Sequence, residues 1–104
     1  MKIAVYTIAL NEEKFVERWA EATAAADYRL VADTGSTDST VVKLVKAEID
    51  VQSISVRPWR FDVARNAALA LLPADVDICL SLDMDEVLVP GWRDALLEAW
   101  VPGT

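Results

Sequence analysis

Asp83, Asp85 and Glu86 set three carboxylates within four positions, interrupted only by Met84. Ionised carboxylates this close repel one another unless a cation or water intervenes. In extended geometry Asp83 and Asp85 point to one side and Met84 to the other. Two oxygen donors so placed suit a hard divalent cation, Mg2+ or Mn2+, whose remaining positions are filled by water and substrate phosphates. The same residues also describe an acidic loop that simply stays solvated, and spacing alone leaves both readings open.

A second polar cluster is Asp33-Thr34-Gly35-Ser36-Thr37-Asp38. A carboxylate at Asp33, beside Gly35, can accept a hydrogen bond from the N–H edge of a base, with Ser36, Thr37 and backbone amides adding polar contacts. Thr37 or Asp38 is expected to cap the helix that follows. Asp33 lies too far upstream for that duty. A third cluster is Pro58-Trp59-Arg60-Phe61-Asp62-Val63-Ala64-Arg65-Asn66. Arg65 falls near the start of a helix, where a guanidinium can pair with a diphosphate. Its ordinary alternative is an ion pair with Asp62 at i, i+3 spacing. Trp59 can stack on a ring, or be a partly buried indole.

The elements that must position these residues are read from apolar periodicity. Residues 2–8 form a strand rich in β-formers. Asn11 is a good N-cap for a helix over 12–26, whose stripe of Phe15, Val16, Trp19 and Thr23 has helical spacing. Residues 28–32 form a second strand. The next helix carries Val41, Leu44 and Val45 on one face. Residues 51–56 form a third, less apolar strand near an edge, broken by Pro58. A helix over 62–72 stops at Pro73. Residues 76–82 form a fourth strand, and a last helix begins near Pro90 with Trp92, Leu96 and Trp100. Trp19, Trp92 and Trp100 are assigned to the core. Strictly alternating strands and helices imply a parallel sheet with helices on both faces and right-handed crossovers. Ligands of such sheets bind outside the carboxyl ends of the strands. Asn11, the cluster 33–38 and the cluster 83–86 all fall at such ends, so the fold is expected to gather them on one rim.

Composition narrows the function. At 104 residues the chain is one domain, and 54% hydrophobic content argues against disorder. A net charge of −7 repels phosphate backbones, so nucleic-acid binding is not expected, although one small phosphate ligand is permitted where a cation reverses the local field. The absence of His removes the usual neutral-pH base and any His-ligated zinc. The one Cys, Cys79, cannot close an internal disulfide. With no stretch long enough to span a membrane and no signal peptide, a cytoplasmic protein is expected.

Together the clusters resemble family 2 glycosyltransferases of the GT-A fold. The matching residues are Ala9-Leu10-Asn11-Glu12-Glu13, Asp33-Thr34-Gly35-Ser36-Thr37-Asp38-Ser39-Thr40, Phe61-Asp62-Val63-Ala64-Arg65-Asn66 and Leu82-Asp83-Met84-Asp85-Glu86, in that order and on the expected strand ends. The resemblance covers essentially the whole chain. It implies an α/β, Rossmann-like nucleotide-diphospho-sugar transferase fold, with residues 1–104 as the donor-binding domain. It implies inverting transfer of a sugar from a nucleotide diphosphate sugar, with a UDP-sugar as the expected donor and the acceptor open. By that resemblance Thr7 and Ala9 to Asn11 line the base pocket, Asp33 contacts the base, with Gly35 and Ser36 beside it, and Arg65 lies near the base or diphosphate. Asp83 and Asp85 match the D-x-D pair: Asp83 toward the ribose or a metal-bound water, Asp85 as the more direct ligand of Mn2+ or Mg2+. The family's base lies well downstream of D-x-D, in the acceptor-binding half. That half is expected to be absent here, so no catalytic residue is assigned and transfer by this chain alone is not expected.

Two other classes compete. A nucleotidyltransferase on a similar fold also uses paired carboxylates and a metal, but needs a Gly-rich, basic loop near the first strand. That segment here is Thr7-Ile8-Ala9-Leu10-Asn11-Glu12, without Gly or a basic residue. A non-catalytic domain with an acidic rim, binding a nucleotide or a partner, is the third class. If the last helix packs on further sequence, Trp92 and Trp100 are exposed here and promote self-association or docking of a partner domain.

Overall fold

Residues 2–56, 60–86 and 88–99 are described in this computed structural model. The first apolar run forms β1 (Ile3–Ala9) and the second β2 (Tyr28–Asp33). They pair in parallel, with Thr7 opposite Val31 and Ala9 opposite Asp33. β3 (Asp50–Ser53) pairs with β2, and β4 (Ile78–Ser81) with the other side of β1. The strand order is β3-β2-β1-β4, all parallel. β3 is an edge strand, as its lower apolar content predicts.

Between the strands lie α1 (Val16–Ala22), preceded by a 3-10 turn at Glu13–Phe15, then α2 (Thr40–Lys46), α3 (Phe61–Ala70) and, after β4, α4 (Trp92–Ala99). Strand alternation sends Ile3, Val5 and Val31 to one face, where they pack with Trp19, Leu44 and Trp92. Tyr6, Leu30 and Ala32 point to the other and meet Ala68 of α3. Chain direction explains the split. From β1 to β3 the chain steps one way along the sheet, but from β3 to β4 it steps back past β1. A right-handed crossover then requires α3 on the opposite face. Ala64 and Ala68, both fully buried, let that helix lie close to the sheet.

Several sequence expectations shift in detail. The helix expected over 12–26 is a 3-10 turn plus the short α1. Asn11 does not cap it: its backbone is left-handed, with φ of 52°, and its side chain reaches away to the next loop. At the other end the Thr23 hydroxyl donates to the Trp19 carbonyl at 2.8 Å and competes with the helical ladder. On α2 the buried pair is Thr40 and Leu44, while Val45 is exposed. The helix is rotated because the Thr40 hydroxyl is drawn into the loops at its start. Trp92 is buried within this chain and donates its indole N–H to the Ala22 carbonyl at 3.0 Å. It is therefore not the exposed docking residue considered above. Pro58, Trp59 and Trp100 lie outside the described residues.

The entering ends of the strands are tied as well. Asp77 accepts from the Lys2 N–H and Asp27 from the Ile3 N–H, each at 2.8 Å. Arg93 of α4 clasps Asp27 at 2.8 Å and the Ala25 carbonyl at 2.9 Å. No helix among the described residues is long and apolar enough to cross a membrane. Because Leu30 is fully buried between β1 and α3, Leu30→Ala is expected to destabilise the chain by about 3 kcal/mol in urea denaturation. A loss below about 1 kcal/mol would contradict this packing.

Candidate functional site

β1 and β2 end level, so the loops that leave them start side by side. The Ala9 carbonyl receives both the Thr34 N–H at 2.9 Å and the Thr34 hydroxyl at 3.1 Å. From there the two loops are stitched residue by residue. The Asn11 N–H donates to Ser36 Oγ at 2.9 Å, the Glu12 N–H to Thr40 Oγ1 at 2.9 Å and the Glu13 N–H to Asp38 Oδ2 at 3.4 Å. In return Asn11 Oδ1 accepts the Thr37 N–H at 2.8 Å. Asn tolerates a left-handed backbone better than most residues, and that bend is what turns its amide toward residue 37. Gly35 completes the second loop at φ of 118°.

Asp33 anchors this assembly. It is 4% exposed, and its Oδ2 accepts the Gly35 N–H at 3.1 Å and the Ser36 N–H at 3.0 Å. Its Oδ1 accepts the Ser36 hydroxyl. Asp33, too far upstream to cap the next helix, has a local duty all the same: the carboxylate organises its own loop in an Asx-type turn. A carboxylate has about four acceptor positions, so Oδ1 retains room for one more donor. The N-cap of α2 is Ser39, not Thr37 or Asp38, and its side chain makes no capping bond; Asp38, one residue earlier, holds the first turn instead by accepting the Thr40 N–H at 2.9 Å and the Thr40 hydroxyl.

The acidic cluster leaves β4 on the same rim. The last ladder bond runs from the Leu82 N–H to the Tyr6 carbonyl at 3.1 Å. With β1 between them, Asp33 and Asp83 stand two strands apart, about 10 Å in sheet spacing. The cluster is not extended. The Glu86 N–H donates to the Asp83 carbonyl at 3.0 Å, closing a β-turn over 83–86. Met84 is buried and Asp83 and Asp85 are exposed, so the two carboxylates face solvent through turn geometry rather than strand alternation. Glu86 closes the turn from the other side, its Oε1 accepting the Asp83 N–H at 3.1 Å. Two contacts from α1 reach the same segment: Trp19 Nε1 donates to the Leu82 carbonyl at 3.0 Å, and Arg18 Nη2 to the Asp85 carbonyl at 2.7 Å. A buried indole demands a partner, but nothing in the sequence says which carbonyl supplies it.

Asp83 and Asp85 fit a divalent cation in donor chemistry, being two exposed carboxylates on one short turn. Among the described residues no group of three or more His, Cys, Asp or Glu side chains forms a complete cage, so a cation here would take the rest of its shell from water or a ligand. Of the other expected residues, Thr7 and Ala9 are buried and support the rim from beneath, whereas Leu10 and Asn11 are exposed upon it. Arg65 is exposed on α3, on the opposite face of the sheet from α1 and α2. Asp62 pairs with Arg60 at 3.1 Å. A lateral recess of about 590 Å3 lies between α1 and residues 88–94 and adjoins the acidic turn through Arg18.

No family model matches the sequence, and no curated protein does. Solved structures do. Glucosyl-3-phosphoglycerate synthase from Mycobacterium tuberculosis in complex with UDP is similar with a TM-score of 0.77 at 27% identity, over 98% of this chain and 40% of that one. The same synthase with Mn2+, UDP and glucosyl-3-phosphoglycerate gives 0.68 at 29%, over 81% and 33%. With Mg2+ and UDP it gives 0.69 at 28%, over 83% and 34%. This chain thus spans between 33% and 40% of the length of those structures. It has the GT-A glycosyltransferase fold that its motifs resemble.

Two outcomes follow from the stitched loops. Asn11→Gly keeps the backbone bend but loses the acceptor for Thr37, which is expected to cost about 1 kcal/mol in urea denaturation. Asn11→Ala loses both and should cost about 1 kcal/mol more; equal losses would show that the bend is unimportant. The second concerns acid. The Thr40 hydroxyl, then the Thr40 and Glu13 N–H groups, hold Asp38 below the ordinary 3.8 against an opposing effect of burial. A depressed folded-state pKa stabilises above the unfolded value and is lost as pH falls through the folded one. The Thr40 amide resonance should therefore titrate with a midpoint below 3.8, and a midpoint at or above it would contradict the Asp38–Thr40 bonds.

Proposed function

We propose that this chain is the donor-binding domain of a metal-dependent glycosyltransferase that takes a nucleotide diphosphate sugar, with UDP as the nucleotide. The observation that carries this is the arrangement of one rim: the Asn11 and Asp33 loops at one end, the Asp83–Asp85 turn two strands away. Similarity at 27–29% identity to a synthase solved with UDP and Mn2+ or Mg2+ supports it.

The base sits at the stitched loops. Asp33 Oδ1 accepts the uracil N–H with its remaining lone pair, Leu10 offers apolar surface to the ring, and Asn11, Gly35 and Ser36 fix the loop walls. Thr7 and Ala9 hold the strand beneath. Asp83 faces the ribose side and Asp85 the cation, with Arg65 near the diphosphate. A bound Mn2+ or Mg2+ offsets the charge that accumulates on the diphosphate as it leaves. The acceptor hydroxyl and the base that deprotonates it belong to an acceptor-binding part, and the face from which that hydroxyl approaches fixes the anomeric outcome. Glu86 does not serve as this base, because its carboxylate closes the acidic turn.

Loop chemistry favours this over a nucleotidyltransferase. A triphosphate cradle needs free backbone N–H groups at the exit of β1. Here the N–H groups of Asn11, Glu12 and Glu13 are all given to side chains of the neighbouring loop. Those of Gly35, Ser36 and Thr37 are given to Asp33 and Asn11. Phosphate charge is left to a cation and a guanidinium.

Calorimetry decides the matter. UDP should bind more tightly with Mn2+ than without it, and Asp85→Ala should abolish at least about tenfold of that gain. Equal Mn2+-dependent binding by both proteins removes the metal role, and a preference for triphosphates over UDP and UDP-sugars overturns the donor assignment.

A further inference from the structure

β4 borders the rim from the edge of the sheet, pairing with β1 alone among the described strands. Ladder support stops at Leu82, one residue before the acidic pair. Beyond that point no strand among the described residues pairs with the main chain, and two like charges on one turn push it open. Support comes instead from two adjacent residues of α1. The Trp19 indole holds the Leu82 carbonyl, immediately before Asp83, and the Arg18 guanidinium holds the Asp85 carbonyl, at the other end of the pair. Met84, buried between them, pins the middle.

We infer that Arg18 and Trp19 are positioning residues for the cation site: they fix the main chain on both sides of Asp83-Met84-Asp85, so that the two carboxylates present one geometry to a divalent ion. The inference rests on the donor-site reading above. The two anchors differ in kind. Trp19 is fully buried, so its N–H has no water to turn to, and the bond to Leu82 is strongly specified. Arg18 is exposed, but its guanidinium also lies 5.1 Å from the centre of the Phe15 ring, which narrows its freedom. α1 thereby couples the two ends of the rim: its leading turn is stitched to the Asp33 side through Glu12 and Glu13, and its first residues hold the Asp83 side.

The test uses the full chain with Arg18→Gln, Arg18→Lys and Trp19→Phe. Amide hydrogen exchange, which needs no ligand, should show the Glu86 N–H exchanging about tenfold faster in Arg18→Gln, with the Thr34 N–H unchanged and with Arg18→Lys restoring most of the protection. UDP titrations should show metal-free affinity unchanged in Arg18→Gln, while the gain conferred by Mn2+ falls about 10- to 100-fold. Arg18→Lys should recover most of it, since an ammonium can still donate to the Asp85 carbonyl. Trp19→Phe, which keeps most of the ring bulk, should show the same selective loss even if it lowers the melting temperature. A wild type with a Mn2+ gain that Arg18→Gln leaves intact overturns the inference alone. So does a uniform loss of affinity with and without metal, the mark of a merely structural role. A wild type in which Mn2+ adds nothing to UDP binding overturns the donor-site reading, and this inference with it.

Discussion

The constraint on which the rim depends is the level ending of two parallel strands. Ala9 stands opposite Asp33, so two loops of quite different sequence leave the sheet together. Each carries backbone N–H groups that no ladder can satisfy, and such groups must find partners as water is excluded. They find them in each other. Asn11, Ser36, Asp38 and Thr40 are short polar side chains, and all four take part in the crossed bonds, while Asp33 satisfies the amides of its own loop. A shift of β2 by one residue would face Asp33 to the other side of the sheet and undo the set at once.

That solution has an electrostatic consequence. In many phosphate-binding loops the free amides do the work of neutralisation. Here they are occupied, and the chain as a whole carries a net charge of −7. Under the donor-site proposal, a diphosphate approaching this rim meets carboxylates first. Under that same proposal the affinity of such a ligand is tied to a mobile positive charge, which makes the cation part of the recognition rather than an accessory to it. The exposed turn at 83–86 fits the division of labour proposed above, in which the loops read the nucleoside and a cation carries the charge.

Much of this is legible in the sequence. Alternating apolar runs gave the parallel sheet, and the rule that ligands gather beyond the carboxyl ends of strands placed Asn11, Asp33 and Asp83 on one side. Edge placement of β3 followed from its polar residues. What escaped was set by contacts between segments far apart in sequence. Asn11 looks like a cap for its own helix, and only the neighbouring loop shows that its amide serves residue 37. Val45 fits the helical stripe as well as Leu44 does, but Thr40 is pulled inward and turns Val45 to solvent. Asp33 is a plausible ligand contact on sequence, yet its first duty is to its own loop. Arg18 carries no motif at all. Its part is visible only because α1 and the acidic turn happen to meet.

β4 has consequences beyond the residues it carries. One of its two edges is committed to β1, and its outer backbone groups face away from the rest of the described sheet. Any polypeptide that extends the sheet along this border would be delivered directly alongside the acidic turn. Among the described strands the sheet has two open borders, at β3 and at β4, and it is the β4 border that runs on into the acidic turn.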